Sequence, residues 1–233
     1  MSIEDLETPE EMAGFFDLRA EGYDDYLHYD VFTDAAFTQF YNAVSSPIQK
    51  TDKRLNIMDL GCGTGIEFES LFRKAPDVQI TGVDLSSNML ELMQTRYKTR
   101  VKQISIVRDS FLTMPFEPKS YDYVISVLAV HHILRDAKLD LYKRILAALK
   151  PDGKYIEGDS VIPRDMESQF AAEHREQLAL VPEAEDGHYH VDVPFSMDTQ
   201  RDLLLEAGFK DFELVWQRDS TLVWNMAVYT VTA

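Results

Sequence analysis

The chain has 233 residues, 23 of them Lys or Arg and 40 Asp or Glu, for a formal net charge of −17. That length suits one α/β domain with a sizeable core, and the charge repels long polyanions, which weighs against nucleic acid and favours a small-molecule partner. No apolar run is long enough for a bilayer, Glu4, Asp5, Glu7, Glu10 and Glu11 crowd where a signal peptide would start, and the lone Cys62 permits no internal disulfide, so a cytoplasmic protein is expected.

Residues 1–50 read as a helical cover, and 51–233 as the core with an addition at about 160–195. Thr8-Pro9-Glu10-Glu11 has the pattern of a helix start, with Thr8 as cap, Pro9 in the first turn and Glu11 closing a capping box. Met12, Phe15, Phe16 and Arg19 follow at helical spacing, and Gly22 is the expected stop. Tyr26, His28 and Tyr29 add ring surface, and a second helix is predicted from Thr33 to Val44 with Phe37, Phe40, Tyr41 and Val44 inward.

The organising stretch begins at Leu55. Ile57, Met58 and Leu60 form the short apolar run of a central parallel strand, which enters a turn with glycines at 61, 63 and 65. Thr64 onward carries Phe68, Leu71, Phe72 and Ala75 at helical spacing up to Pro76. Glycines let the backbone approach a ligand closely, and a helix start offers free amides. A dinucleotide fingerprint would need glycine at 66, where Ile66 stands, and no Lys-Ser/Thr pair completes a phosphate loop.

Val78 to Asp84 reads as a second strand ending in an acid, where Asp84 can accept hydrogen bonds from ribose hydroxyls. Ser86, Ser87 and Asn88 can cap the next helix, with Met89, Leu92, Met93 and Tyr97 on its apolar stripe. A third strand runs from Gln103 to Asp109, so Asp59, Asp84 and Asp109 end successive strands 25 residues apart. The fourth strand, Tyr121 to Leu128, leads to His131 and His132, placed either to brace the loop or to act as general base. Asp136 opens a helix that Lys150-Pro151-Asp152-Gly153 ends, and Lys154 to Asp159 is the fifth strand.

Pro163 to Leu180 has the pattern of an amphipathic helix, and Pro182 to Asp192 that of an acidic, aromatic loop. His188-x-His190-x-Asp192 would share one face if extended, but a solvated loop or acceptor contacts explain it more simply, and no metal is expected. Ser196 caps a last helix stopped by Gly208, and Phe212–Trp216 and Leu222–Val231 read as a closing antiparallel pair joined through Asp219-Ser220.

Asp59-Leu60-Gly61-Cys62-Gly63-Thr64-Gly65 resembles the first motif of class I S-adenosylmethionine-dependent methyltransferases, and Val83-Asp84-Leu85-Ser86 with Met89-Leu90 resembles their second. Phe16-x-x-x-Ala20-x-x-Tyr23-Asp24 is similar to the segment ahead of the core in many small-molecule members, and the Leu149 to Gly153 turn matches as well. The resemblance implies an α/β fold: a Rossmann-like, doubly wound, seven-stranded, mostly parallel sheet with an antiparallel last strand and a helical N-terminal lid. It implies S-adenosyl-L-methionine as cofactor, with Tyr23 over the sulfonium, Arg19 on the carboxylate, Met89 near the adenine, Asp109 on its amino group and Ser110 against the ring. Asp59, Gly61, Cys62, Gly63, Gly65, Asp84, Leu85, Phe111 and Val127 complete the implied binding set, and His131 and His132 are the candidate catalytic residues. The acceptor implied is a small molecule; a tRNA base and a non-catalytic cofactor-binding partner subunit are the alternatives, and an oligomer is compatible with the sequence.

Overall fold

The computed structural model describes residues 8–181, 187–218 and 221–233. Glu4, Asp5 and Glu7, the run from Pro182 to Asp186 and the Asp219-Ser220 connection lie outside the described residues.

Seven strands, β1 (Asn56–Leu60), β2 (Gln79–Asp84), β3 (Ile104–Arg108), β4 (Tyr121–Val127), β5 (Leu149–Val161), β6 (Lys210–Gln217) and β7 (Asn225–Thr232), form one sheet in the order β3-β2-β1-β4-β5-β7-β6. Strands β1 to β5 pair in parallel, and β7 runs antiparallel to both β5 and β6. This is the Rossmann-like sheet that the sequence predicts.

The apolar run of β1 feeds both faces. Ile57 packs with Phe40 and Val44 of α3 (Asp34–Ser45) and with Phe68 and Leu71 of α4 (Phe68–Lys74). Met58 and Leu60 pack with Tyr142 and Ile145 of α6 (Arg135–Ala148) and with Leu203 and Leu204 of α8 (Met197–Ala207). Each such side chain taken fully from water stabilises the fold by about 1.5–3 kcal/mol. The strand order reverses between β1 and β4, so the loops leaving their C-terminal ends part and open a crevice. Among the described residues no helix is long and apolar enough to cross a membrane.

Several boundaries differ from expectation, each for a local reason. The first helix, α1 (Met12–Arg19), starts at Met12 rather than at Pro9, and Glu11 itself caps it by accepting the Gly14 N–H at 3.3 Å. The residues before it are held extended: Met12 N donates to His188 O at 2.9 Å and His190 N to Glu10 O at 2.9 Å. Gly22, with φ 89°, opens α2 (Tyr23–Tyr26) instead of closing α1. Helix α4 begins at Phe68 rather than Thr64, because Gly65 sits at φ 69° in a turn closed by its N–H on Cys62 O at 2.8 Å. In the 160–195 addition, a 3₁₀ turn (Arg164–Met166) precedes α7 (Glu167–Leu178). Of the first fifty residues, α1 and α2 lie over the crevice while α3 contributes to the core layer.

Candidate functional site

The glycine turn is fixed from below by β2. Gly61 N and Cys62 N both donate to Val83 O, at 2.8 and 3.0 Å. Gly61, with φ 72°, would place a Cβ 2.5 Å from the Ala129 Cβ, so no larger residue fits between the β1 and β4 loops. Gly63, with φ 48°, has nothing within 4 Å of such a Cβ and leaves an open cradle facing the crevice.

Asp84 braces this turn to the next helix. Its Oδ2 accepts the Gly63 N–H and its Oδ1 the Ser86 N–H, both at 2.8 Å. Burial raises its pKa, and those amides pull against the rise. A carboxylate has about four lone-pair sites, so Asp84 keeps capacity for two further donors. Ser86 caps α5 (Ser87–Arg96) by accepting the Met89 N–H at 3.1 Å.

Two clefts meet above the turn. The inner, narrow one is lined by Gly61, Cys62, Gly63 and Gly65 with Asp84, Leu85, Met89, Ser110, Phe111 and Val127, and it is covered by Phe16 and Tyr23. The outer one is wide, bordered by Arg19, His131, Ser160, His190, Asp192, Arg218 and Trp224. Tyr23, Phe16, Leu27, Leu128 and His132 line both. Burial, with the nearby Asp84 charge, pushes the Tyr23 phenol well above its ordinary value, so it is a neutral hydroxyl.

Three implied binding residues stand elsewhere. Asp59 lies beneath the turn, fully buried beside Glu67, and burial followed by the Glu67 charge raises its pKa well above the carboxylate range. Asp109 turns its carboxylate back to accept the Ser110 N–H at 2.7 Å, leaving Ser110 and Phe111 to face the inner cleft. Arg19 pairs with Glu10 at 2.7 Å on the outer rim, its guanidinium 3.7 Å from the centre of the Phe15 ring.

His131 and His132 occupy a buried 3₁₀ turn (Val130–His132) after β4. His131 Nδ1 lies 2.6 Å from Asp159 Oδ1, and this pairing raises the imidazole's pKa against the opposing effect of burial. Asp192 Oδ1 stands 3.5 Å from His131 Nε2 and 3.0 Å from His132 Nδ1. Burial and then the His131 charge lower His132, and burial with His132 pushes His190 down to about 4.

The His188-x-His190-x-Asp192 triplet does not act as one face. Asp192 joins the two histidines from the β4 loop, while the His190 ring stacks on Phe15 with centroids 3.5 Å apart. The local sequence carried no signal for this meeting, nor for two anchors of the cover. Asp17 of α1 accepts from Ser86 Oγ at 2.6 Å and Asn88 N at 3.0 Å, while Asp24 of α2 pairs with Arg96 and accepts from Thr64 Oγ1 at 2.5 Å.

Comparison with known proteins agrees with this architecture. The family described as "Methyltransferase domain" matches residues 57–153. An uncharacterized methyltransferase of Geobacillus sp. (strain WCH70) is 28% identical over 97% of this chain and 98% of its own length. An O-methyltransferase of Aspergillus nomiae is 26% identical over 71% of this chain and 68% of its own. A phosphoethanolamine N-methyltransferase of Haemonchus contortus, solved with S-adenosyl-L-methionine, superposes with TM-score 0.69 at 16% identity, over 94% of this chain and 59% of that one. With the glycine turn, the acid at the end of β2 and this sheet order in place, residues 57–153 are a methyltransferase domain of the class I type that uses S-adenosyl-L-methionine.

Proposed function

We propose that the protein transfers the methyl group of S-adenosyl-L-methionine to a small-molecule acceptor held in the outer cleft. The observation that carries this reading is the junction of the two clefts at Tyr23 and His132. The inner cleft fits a nucleoside: Gly63 leaves an open cradle and Asp84 retains acceptor capacity beside it. In this reading Asp84 takes the ribose hydroxyls, Leu85, Met89, Ser110 and Phe111 enclose the base, and Tyr23 covers the methionine end. Bound there, the cofactor supplies an activated methyl carbon.

The protein's own contribution is alignment and exclusion of water. Phe16, Tyr23 and Leu27 roof the junction, so an acceptor approaches it from the outer side. The group formed by His131, His132 and Asp192 borders that side and faces the acceptor's reacting end. Arg19, paired to Glu10 at the rim, guards the outer entrance. A net charge of −17 disfavours a polyanionic acceptor.

Calorimetric titration tests the assignment. S-adenosyl-L-methionine and its demethylated product are both expected to bind with micromolar-range affinity and NAD not at all, and Asp84→Ala is expected to weaken binding by about 1–3 kcal/mol. Unchanged affinity in that variant would remove Asp84 from the ribose; absence of binding to either ligand would overturn the reading.

A further inference from the structure

Three residues converge at the inner end of the outer cleft: His131, His132 and Asp192 each offer one metal-ligating atom, and these atoms lie within 4.8 Å of one another. The carboxylate of Asp159 is fully buried and engages His131 Nδ1 at 2.6 Å, which turns Nε2 towards Asp192, 3.5 Å away. His132 is also buried, with its Nδ1 3.0 Å from Asp192 Oδ1.

The spacing suits an ion. With donor-to-metal bonds of about 2.1 Å, the donors of one ion are separated by about 3.0 Å at a right angle and about 3.4 Å at a tetrahedral angle. The separations of 3.0 and 3.5 Å from Asp192 match these values. The outer shell is present as well. A metal-bound histidine ordinarily gives its other N–H to a carboxylate, which fixes the tautomer, and Asp159 does this for His131 while also accepting the Val130 N–H at 3.0 Å. The Asp192 side chain is 38% exposed, so the coordination sphere opens on the outer cleft.

The geometry points to a binding site for one divalent transition-metal ion, held by His131, His132 and Asp192 with Asp159 as the outer partner of His131. Two imidazoles and one carboxylate select a borderline ion of the zinc, cobalt or iron type over magnesium or calcium, and three protein ligands leave a position for water or an acceptor oxygen. For the methyl transfer proposed above, on which this last step rests, the acceptor would be a hydroxyl compound. Coordination acidifies its O–H and the proton leaves to solvent. The oxygen then bonds to the methyl carbon while the carbon–sulfur bond breaks, and the sulfur departs as a neutral thioether.

Cobalt(II) is the probe that reads the ion without the cofactor. Chelator-treated protein titrated with Co²⁺ is expected to develop visible d–d absorption saturating at one ion per chain, and to lose it when Zn²⁺ is added. Asp192→Ala, at a side chain 38% exposed, is expected to weaken Co²⁺ at least tenfold, and Asp159→Asn by about 10–100-fold. His28→Gln, at the surface His28–Asp34 pair, is expected to leave the titration unchanged. No absorption and no heat with the intact protein, or equal binding by the Asp192→Ala variant, would overturn the site. Because S-adenosyl-L-methionine is absent from this experiment, its outcome is separate from that of the calorimetric test of methyl transfer.

Discussion

Asp59 is a carboxylate whose burial opposes folding at neutral pH. It is fully buried, neither of its oxygens makes a directed hydrogen bond, and Glu67 stands beside it. Its folded-state pKa is raised above the unfolded value of about 3.9, so its contribution to stability is fully present below that value and is lost as pH rises through the folded pKa. Asp59→Asn has no such titration. In ligand-free protein the melting temperature of the variant is expected to gain on wild type as pH rises from about 4 to 8, each kcal/mol appearing as about 2–4 °C; a difference that does not change with pH would contradict the assignment. At this scale the sequence was partly legible. The 25-residue register of Asp59, Asp84 and Asp109 marked the ends of three adjacent strands, yet the three acids do unlike things: one lies under the turn, one braces it, and one folds back on its own chain. Asp192 near His131 was not legible, since their contact depends on how the 160–195 addition returns to the β4 loop.

Helix α1 is tied to the N-terminus of α5 by one side chain. Asp17 accepts the Ser86 and Ser87 hydroxyls and the Asn88 N–H, and Asn88 Nδ2 donates back to Asp17 O at 2.9 Å. Burial of Asp17 works against its ionisation, and the Asn88 amide and serine hydroxyls outweigh it, so its pKa is lowered. The clasp is therefore present at neutral pH and fades as pH falls through the folded-state pKa. Asp17→Ala is expected to cost about 1 kcal/mol and to expose the chain between α1 and α3, with Tyr23, Tyr26, Tyr29 and Phe32, to chymotrypsin at neutral pH; cleavage at the wild-type rate would show that α1 is held by its aromatic face alone. Elements with a strong apolar period, β1, β2, α3 and α8, follow their predicted ranges closely. The start of α1 does not, because the backbone of Glu10 and Met12 is engaged by His190 and His188 from the far end of the chain. A local capping pattern has no access to that competition.

Across the whole molecule, one buried carboxylate joins the layers on the far side of the sheet. Glu157 of β5 accepts from Tyr142 of α6 at 2.7 Å, Tyr155 of its own strand at 2.8 Å, Gln200 of α8 at 3.1 Å, and Tyr229 of β7. Burial raises its pKa, and Lys138 opposes that rise. Glu157→Leu takes an acceptor from three buried phenols, of which Tyr142 keeps Gln200 Oε1 at 3.3 Å, and hydrogen bonds to a charged group contribute about 1.5–3 kcal/mol each. Urea unfolding is expected to show a loss of about 3–5 kcal/mol with cofactor affinity retained in the folded fraction; a loss under 1 kcal/mol would mean that the tyrosines find other acceptors. The sheet, its reversal point and the closing antiparallel pair were readable from strand patterns and turns. The network was not, because its members are spread from residue 142 to residue 229 and each reads locally as an ordinary core or strand residue. The backbone pairing of Glu10 and Met12 with His190 and His188 has one more consequence. Because these bonds stitch the cover of the inner cleft to a wall of the outer one, movement of either pulls on the other, so under the proposed division of the clefts a substitution that reshapes the acceptor wall is expected to alter cofactor dissociation as well.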